Sequence, residues 1–264
     1  MASRIAVITG GGSGLGEAAA KRLAKEGYNL ALIDIDEAGG TRVAQELMEA
    51  GHKAKFIRCD VSDAAAVEAA AAAVEADLGI VEALVTSAAM QPNPECVLDM
   101  DMVAHEKMWK VNYFGTIHAC QSFGKRMIPQ EKGVIVTLGS IHSRMPLPLP
   151  AYNPGKVAIE RMTQLLAAEL GRFNIRVNCI GPTHVMTPPL VAAIKAGERD
   201  ESKIMAPHAL NYLPEAEDVA ETIAFLVSDR ARAITGAFLP IDSGIIAKDA
   251  FVTYAGGIPW LKRR

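Results

Sequence analysis

Short apolar runs alternate with longer helical patterns along most of this chain. Because these runs are almost continuously apolar, they are typical of parallel strands that are covered on both faces. Right-handed helical crossovers between such strands predict an α/β fold with a doubly wound, seven-stranded parallel sheet and helices on both faces. The seven runs are Arg4 to Ile8, Asn29 to Ile33, Lys55 to Cys59, Ala83 to Val85, Gly133 to Leu138, Arg176 to Ile180 and Ala237 to Pro240.

A glycine-rich turn, Thr9-Gly10-Gly11-Gly12-Ser13-Gly14-Leu15-Gly16, joins the first run to a helical pattern over Glu17 to Lys25. Glycines let the backbone approach a pyrophosphate closely, and the N-terminus of the following helix offers free N–H groups and a positive dipole. Asp34 follows the second run, about 20 residues on, at the usual position of an acidic partner for the adenosine ribose. The turn therefore predicts a Rossmann-type dinucleotide site, and a flexible loop without a ligand is the alternative.

Asp34 also bears on which dinucleotide binds. A carboxylate there can accept hydrogen bonds from both ribose hydroxyls, whereas a 2′-phosphate would meet like charge. The turn itself contains no basic residue, and Asp36 is interpreted as a solvated loop residue or a helix cap. These features favour NAD(H) over NADP(H) as the cofactor.

Length, charge and cysteine spacing narrow the remaining possibilities. The chain has 264 residues, half of them apolar, which predicts one domain over residues 1–247, with a substrate lid at 187–213 and a C-terminal extension at 248–264. A net charge of −3 argues against a nucleic-acid partner. The first strand begins too early for a signal peptide and no apolar run reaches membrane length, so we expect a cytoplasmic protein without a membrane partner. Four scattered cysteines argue against a disulfide framework and against a metal site.

Tyr152 and Lys156 are separated by four residues, which places both side chains on one face of a helix. An ammonium group beside a phenol favours the phenolate, so this pair suits proton exchange with an alcohol. Pro154 leaves two alternatives. If Asn153 is an N-cap, Tyr152 lies outside the helix and the spacing argument fails. If the helix begins near Pro150, Pro154 falls in the first turn, where proline is tolerated; we prefer this alternative because the other residues of the site agree with it.

The glycine turn, Asp34, Ser140 at the end of the fifth run and the Tyr152/Lys156 pair together resemble the short-chain dehydrogenase/reductase family, and the resemblance extends to about Ile246. It implies an oxidoreductase that transfers hydride between NAD(H) and a secondary alcohol or ketone, with Tyr152 as general acid/base. It also implies a homotetramer or homodimer, and we expect the C-terminal extension to pack on a neighbouring subunit or near its pocket. The implied catalytic residues are Asn112, which would help to hold a proton-relay water, Ser140, Tyr152 and Lys156. The implied cofactor contacts are Thr9, Gly10, Gly12, Ser13, Gly14, Leu15, Gly16, Asp34, Ile35, Asp60, Val61, Ser87, Ala88, Tyr152, Lys156, Pro182, Val185 and Thr187.

Besides Pro154, three positions depart from the family pattern. Thr86-Ser87-Ala88-Ala89 stands where Asn-Asn-Ala-Gly is usual, so a polar tie at the end of the fourth strand is left to Ser87, to Thr86 or to neither. Thr183 stands where glycine usually follows the proline, which restricts the backbone beside the nicotinamide. Ser140 precedes the tyrosine by one residue fewer than is usual, and Ser143 is the alternative serine.

The substrate is less constrained. Candidate contacts are Ser140, His142, Arg144 and His184, with His208 in the predicted lid. Arg144 is either a solvated loop residue or a bidentate partner for an anionic substrate group. A polyol or sugar is one candidate, and an apolar cyclic alcohol fits the predicted wall nearly as well. A noncatalytic NAD(H)-binding regulator or scaffold is the alternative function, and an S-adenosylmethionine methyltransferase, which would not need the Tyr/Lys pair, is a further rival.

Overall fold

The computed structural model describes residues 4–91 and 94–252. Within these ranges, seven parallel strands form one sheet in the order β3-β2-β1-β4-β5-β6-β7. The strands are β1 (Ile5–Thr9), β2 (Asn29–Asp34), β3 (Ala54–Arg58), β4 (Ala83–Thr86), β5 (Gly133–Leu138), β6 (Ile175–Pro182) and β7 (Phe238–Ile241). The predicted fold class is confirmed.

Helices cover both faces of this sheet. The helices in the described residues are α1 (Gly14–Lys25), α2 (Glu37–Glu49), α3 (Ala64–Asp77), α4 (Met102–Trp109), α5 (Gly115–Met127), α6 (Tyr152–Leu170), α7 (Pro188–Lys195), α8 (Glu201–Met205), α9 (Ala216–Val227) and α10 (Ile245–Val252). Neighbouring strand residues point to opposite faces: Ile8 belongs to the apolar core under α1 and α9, and Val7 to the core under α3 and α5. The sheet is therefore buried on both sides, as the continuous apolar runs predict.

The strand order reverses beside β1, whose neighbours are β2 and β4. At such a reversal the connections leave the carboxyl ends of adjacent strands in opposite directions and open a crevice, where ligands of doubly wound folds bind. The glycine turn follows β1, and Asp34 is the last residue of β2. Both therefore lie at the mouth of this crevice.

The stretch predicted as an irregular lid contains two short helices. Pro188 and Pro189 occupy the first turn of α7, where proline costs no hydrogen bond. Gly197, with a φ of +74°, lies just beyond the end of this helix, and Asp200 caps α8 by accepting from the N–H groups of Ser202 and Lys203. Proline, glycine and aspartate are common at helix ends and also in irregular loops, so the sequence pattern alone predicted an irregular segment here.

The last described helix, α10, crosses the predicted boundary between residues 247 and 248. The remainder of the predicted extension, 253–264, lies outside the described residues. No helix in the described ranges is both long enough and apolar enough to cross a bilayer. All four cysteines are free thiols, and three of them are buried.

Candidate active site

The glycine turn leaves no room for a side chain at Gly10, Gly12 or Gly16. A Cβ on Gly16 would lie 2.0 Å from the carbonyl oxygen of Gly10, and one on Gly10 would lie 2.6 Å from the amide nitrogen of Ala88. Gly10 and Gly14 also have φ values of +69° and +53°, in the left-handed region that favours glycine. Because α1 begins at Gly14, the last residues of the glycine turn already form the first turn of the helix and contribute its free N–H groups. This cradle fits a pyrophosphate.

The carboxylate of Asp34 lies against the same turn. It accepts hydrogen bonds from the N–H of Gly12 at 2.9 Å and from that of Asp36 at 3.0 Å. Asp36 in turn caps α2 by accepting from the N–H of Ala38, which agrees with the helix-cap interpretation. Ile35, between the two aspartates, is exposed. An exposed residue beside a positioned carboxylate suits an adenosine site, and Asp34 remains our predicted ribose contact.

A basic residue that sequence reasoning missed also reaches the turn. Arg42 of α2 donates from Nη2 to the carbonyl oxygen of Gly12 at 3.2 Å. Its guanidinium is paired with Glu17 at 2.6 Å and with Glu46 at 2.8 Å. Arg42 lies 30 residues along the chain from Gly12, so no local sequence signal links them. Two carboxylates already balance its charge.

The polar tie at the end of β4 comes from neither of the two expected residues' side chains. The hydroxyl oxygen of Thr9 accepts from the N–H of Ala88 at 3.3 Å, and the Ser87 N–H donates to the Thr9 carbonyl at 3.1 Å. The buried hydroxyl of Thr86 has no hydrogen-bond partner. The alternative in which neither side chain makes the tie is therefore the one observed, and the side chain of Thr9 contacts this segment instead.

Beyond β3, Asp60 and Val61 start the connection to α3. Asp60 accepts from the N–H of Ser62, and its side chain is exposed. Val61 is buried against Gly115, where an added Cβ would lie 2.6 Å from Val61 Cγ2. These contacts leave the exposed Asp60 side chain as the more accessible of the two predicted adenine contacts.

Tyr152 and Lys156 lie in the first turns of α6, which begins at Tyr152. The alternative with Asn153 as N-cap is wrong, and Pro154 falls in the tolerant first turn, although the helix begins two residues later than Pro150. The ammonium nitrogen of Lys156 lies 5.3 Å from the centre of the Tyr152 ring. Lys156 is buried and donates to the carbonyl oxygen of Leu138 at 2.7 Å. A buried ammonium is thus held beside the phenol by the end of β5.

Ser140 and Ser143 have different surroundings. Ser140 is buried two residues after β5; its hydroxyl accepts from the N–H of His142 at 3.2 Å and donates to the carbonyl of Pro182 across 3.5 Å. Ser143 donates to the carbonyl oxygen of Lys156 at 3.0 Å. Because a 3.5 Å contact is a weak hydrogen bond, the Ser140 hydroxyl is the one that can turn to a substrate oxygen at little cost.

Asn112 lies in a π-helical turn, Lys110–Phe114, between α4 and α5. Such a turn inserts an extra residue into the helix and is frequent at functional sites. The buried amide of Asn112 spans the backbone of Met90: Oδ1 accepts from the Met90 N–H at 2.7 Å, and Nδ2 donates to the Met90 carbonyl at 3.3 Å. Asn112 therefore fixes the segment that follows β4, through a contact that no local sequence pattern predicts.

The predicted substrate contacts are unequal. The His142 ring lies edge-on to the Tyr152 ring at 5.9 Å, and burial, with a smaller effect of the neighbouring His184, lowers the pKa of His142. Arg144 instead pairs with Glu160 of α6, with Nε 3.2 Å from a carboxylate oxygen, and lies over the Phe238 ring. Its guanidinium already has a partner, so we no longer expect it to bind an anionic substrate group.

Known proteins resemble this chain in sequence and in fold. A family model described as enoyl-(acyl carrier protein) reductase matches residues 10–246. The solved structure of a short-chain type dehydrogenase/reductase from Mycobacterium ulcerans has a TM-score of 0.87 and 29% identity, covering 92% of this chain and 90% of that one. 2-(S)-hydroxypropyl-CoM dehydrogenase 3 from Xanthobacter autotrophicus is 32% identical, covering 93% of this chain and 97% of the relative. The chain belongs to the short-chain dehydrogenase/reductase family.

Further similarities concern the chemistry of this dehydrogenase/reductase. D-threitol dehydrogenase from Mycolicibacterium smegmatis is 35% identical, covering 93% of this chain and 94% of the relative. The solved structure of NAD⁺-bound xylitol dehydrogenase has a TM-score of 0.84 and 26% identity, covering 90% of this chain and 97% of that one. The structure of ElxO with NADP bound has a TM-score of 0.88 and 26% identity, covering 93% of this chain and 99% of that one. The protein is therefore an oxidoreductase that transfers hydride between a nicotinamide cofactor and an alcohol or its carbonyl product. The noncatalytic alternative is not favoured.

Proposed function

We propose that this dehydrogenase oxidises a secondary hydroxyl group of a polyol or sugar with NAD. The observation that carries the proposal is the pairing of Tyr152 with the buried ammonium of Lys156 in the first turns of α6, at 5.3 Å from ring centre to nitrogen. A phenol in this position exchanges a proton with an alcohol, and a cation beside it stabilises the phenolate.

The residues divide the chemistry among them. NAD, which the glycine turn and Asp34 would hold, would supply the acceptor for the hydride of the carbinol carbon. Tyr152 takes the hydroxyl proton at its phenolic oxygen, so the alcohol leaves as a ketone. One of the three N–H donors of the Lys156 ammonium bonds to the carbonyl oxygen of Leu138, which leaves two for the cofactor ribose and for a proton-relay water. The Ser140 hydroxyl donates to the substrate oxygen and steadies the charge that develops there.

The choice of NAD rests on Asp34. A 2′-phosphate beside this carboxylate would be repelled, and the nearby Arg42 cannot compensate while Glu17 and Glu46 hold its guanidinium. The ribose of NAD, in contrast, offers two hydroxyl donors. The glycine turn supports binding of the pyrophosphate of either cofactor, so Asp34 is the residue that discriminates.

The choice of a polyol rests on the similarity to D-threitol dehydrogenase and to xylitol dehydrogenase. Pairing of Arg144 with Glu160 supports it, since the guanidinium of Arg144 is then occupied and does not select an anionic group. His142 and His184 supply polar ring atoms that suit hydroxyl groups. We include Ser140, His142 and His184 in the proposed substrate site, covered by a lid over 187–213.

We further propose a homodimer or homotetramer in the cytoplasm, built on one domain that ends near residue 247. Exposed apolar side chains on α4, on the π-helical turn that follows it and on α6 support association, since Val103, Phe114 and Leu165 are 78%, 45% and 57% exposed. Four free thiols suit a reducing compartment. Light scattering coupled to size-exclusion chromatography tests the mass in solution.

The test of the proposed activity follows absorbance at 340 nm with NAD or NADP and D-threitol, xylitol and cyclohexanol. Tyr152→Phe is expected to lower the rate of NADH formation about 10³-fold without weakening NAD binding. Tyr28→Phe is the matched control, because Tyr28 directly precedes β2 and contacts Arg4, which precedes β1, so both lie at the amino ends of the strands, whereas the site lies at the carboxyl ends. Equal activity of Tyr152→Phe and the control would contradict the proposed base.

A further inference from the structure

His208 is the most buried residue of the predicted lid, at 2% exposure. The two helices that precede it, α7 and α8, contain no buried residue. Both ring nitrogens are used: Nδ1 lies 2.8 Å from the carbonyl oxygen of Ile204, and Nε2 lies 2.9 Å from the hydroxyl of Thr183. A carbonyl oxygen only accepts, so Nδ1 carries a proton and, in the neutral ring, Nε2 accepts from Thr183.

Thr183 belongs to the other side of this contact. It directly follows β6, and its N–H donates to the carbonyl oxygen of Ile241 in β7 at 3.1 Å. Its hydroxyl is the group that a glycine at this position would lack. Two and four residues further on lie Val185 and Thr187, the proposed contacts of the nicotinamide carboxamide. The hydroxyl therefore links a segment rooted on the sheet to the lid.

A second set of hydrogen bonds, made with Ser243 and Lys248, holds the backbone around His208. Ala209 and Leu210 both donate their N–H groups to the carbonyl oxygen of Ser243, at 2.9 and 3.0 Å. Lys248 of α10 donates from Nζ to the carbonyls of Ala206 and His208, at 2.7 and 2.6 Å. The lid residues 206–210 are thus fixed to the β7–α10 connection and to α10 itself, independently of Thr183.

A fixed imidazole can therefore position a less constrained neighbour. The segment from Thr183 to Thr187 is tied at its start to Ile241 and at Met186, whose N–H donates to Pro214 at 2.9 Å. At the first of these ties, the Thr183 hydroxyl also makes a side-chain hydrogen bond with His208, which restrains the backbone as it leaves β6, and the Val185 side chain packs in the apolar core. We propose that Thr183 and His208 form a positioning pair that aims the Val185 backbone and the Thr187 hydroxyl at the nicotinamide end of the cofactor.

This inference rests on the proposed function. A positioning pair and a purely structural pair differ in which half of the dinucleotide loses binding affinity when the pair is broken. ADP-ribose contains the adenosine and pyrophosphate groups of NAD but lacks the nicotinamide ring. A positioning pair for the carboxamide acts on NAD and leaves ADP-ribose unchanged. A pair that only stabilises the fold lowers the melting temperature and affects both ligands alike.

The experiment measures dissociation constants of NAD and ADP-ribose by isothermal titration calorimetry for five variants and the wild type. Thr183→Val keeps the branched shape and removes the hydroxyl, and His208→Asn keeps a donor near Ile204 but cannot reach Thr183. Each is expected to raise the Kd of NAD about fivefold, the size of one hydrogen bond, with the Kd of ADP-ribose unchanged. Thr183→Ser and His208→Gln restore a partner and are expected to recover most of this loss. Thr222→Val, which removes an exposed hydroxyl bonded to Asp218 on α9, is the matched control.

Steady-state kinetics add a second readout. In Thr183→Val we expect the KM for NAD to rise with a smaller fall in kcat, because the Tyr152 proton transfer is untouched. Equal losses for NAD and ADP-ribose, or unchanged NAD binding in both Thr183→Val and His208→Asn, would overturn the pair. If the enzyme instead prefers NADP, the proposed cofactor fails, but NADP against 2′-phospho-ADP-ribose must still show the same difference.

Discussion

The two ends of the cofactor crevice are held in different ways. At the glycine-turn end, backbone meets backbone within a few residues, as where Gly16 packs on the Gly10 carbonyl. At the Tyr152 end, side chains from distant elements meet: Asn112 spans Met90, and Thr183 contacts His208. Backbone contacts exclude almost every substitution, whereas side-chain contacts can be exchanged one at a time. The first end therefore suits an invariant ligand, and the second suits adjustment to a particular alcohol.

The largest effect is expected where the backbone contact is closest. Gly16→Ala places a Cβ 2.0 Å from the Gly10 carbonyl, so the turn must open. We expect NAD affinity to fall more than about 100-fold, measured by calorimetry. Gly171→Ala is the control, because Gly171 has a helical φ of −57° and nothing within 4 Å of its added Cβ. Wild-type affinity in Gly16→Ala would remove the contrast between the two ends.

Asp34 tests whether one side chain governs selectivity at the glycine-turn end. Asp34→Ser removes the charge that repels a 2′-phosphate, so the kcat/KM ratio of NADP to NAD is expected to rise about 100-fold. Asp36→Ser leaves the ribose partner in place and serves as the matched control. A ratio that stays at the wild-type value in Asp34→Ser would refute the assignment of NAD selectivity to this carboxylate.

Ser140 and Ser143 sharpen the comparison at the Tyr152 end. Ser140→Ala removes the proposed donor to the substrate oxygen, and kcat is expected to fall about 100-fold. Ser143→Ala removes only the hydrogen bond to the Lys156 carbonyl, and kcat should change less than about threefold. The opposite order of effects in initial-rate measurements would exchange the roles of the two serines.

Arg144 is expected to matter for stability rather than for substrate. Arg144→Met breaks the ion pair between a half-exposed guanidinium and the buried Glu160 carboxylate, at a cost of about 1–3 kcal/mol, and lowers the melting temperature by roughly 2–4 °C per kcal/mol. The KM for a neutral polyol should stay within about twofold, because a neutral substrate needs no guanidinium. A large rise in KM with an unchanged melting temperature would return Arg144 to the substrate site.

The smallest effect concerns pH. Burial lowers the pKa of His142 in the folded chain below its ordinary value of 6.5. Below pH 6.5 the unfolded chain therefore binds a proton that the folded chain resists, so folding stability falls as pH falls. From pH 7.5 to pH 5.5, the unfolding free energy measured by urea titration should fall in both proteins. The fall in His142→Asn should be smaller than the fall in the wild type, by up to about 1 kcal/mol. Identical pH dependence would contradict the shift.

The sequence was sufficient for the parts of the fold that repeat. Each of the seven apolar runs is a strand, and Gly133–Leu138 has the predicted bounds. Strand β6 continues two residues past Ile180, to Pro182, because its pairing with β7 continues there. Parallel strands buried on both faces leave this pattern in the residues themselves, whatever the ligand.

Contacts between distant residues were not predictable in the same way. Asn112 could be singled out only by family resemblance, since nothing near it in the chain predicts its contact with Met90. The pairs Arg42 with Glu17 and Arg144 with Glu160 join different elements, and each arginine alone reads as a solvated charge. The effect of Pro154 was ambiguous because a proline can either interrupt a helix or lie in its first turn. Only the packed chain decides such cases.

One measurement addresses the central claim, that this protein moves hydride from a secondary carbon of a polyol to NAD. Wild-type enzyme is incubated with NAD and a polyol that carries deuterium on its secondary carbons, and the NADH is analysed by mass spectrometry. We predict NADH heavier by one deuterium, formed at least about 100 times more slowly by Tyr152→Phe. NADH without deuterium, or no NADH from any polyol despite tight NAD binding, would contradict the account.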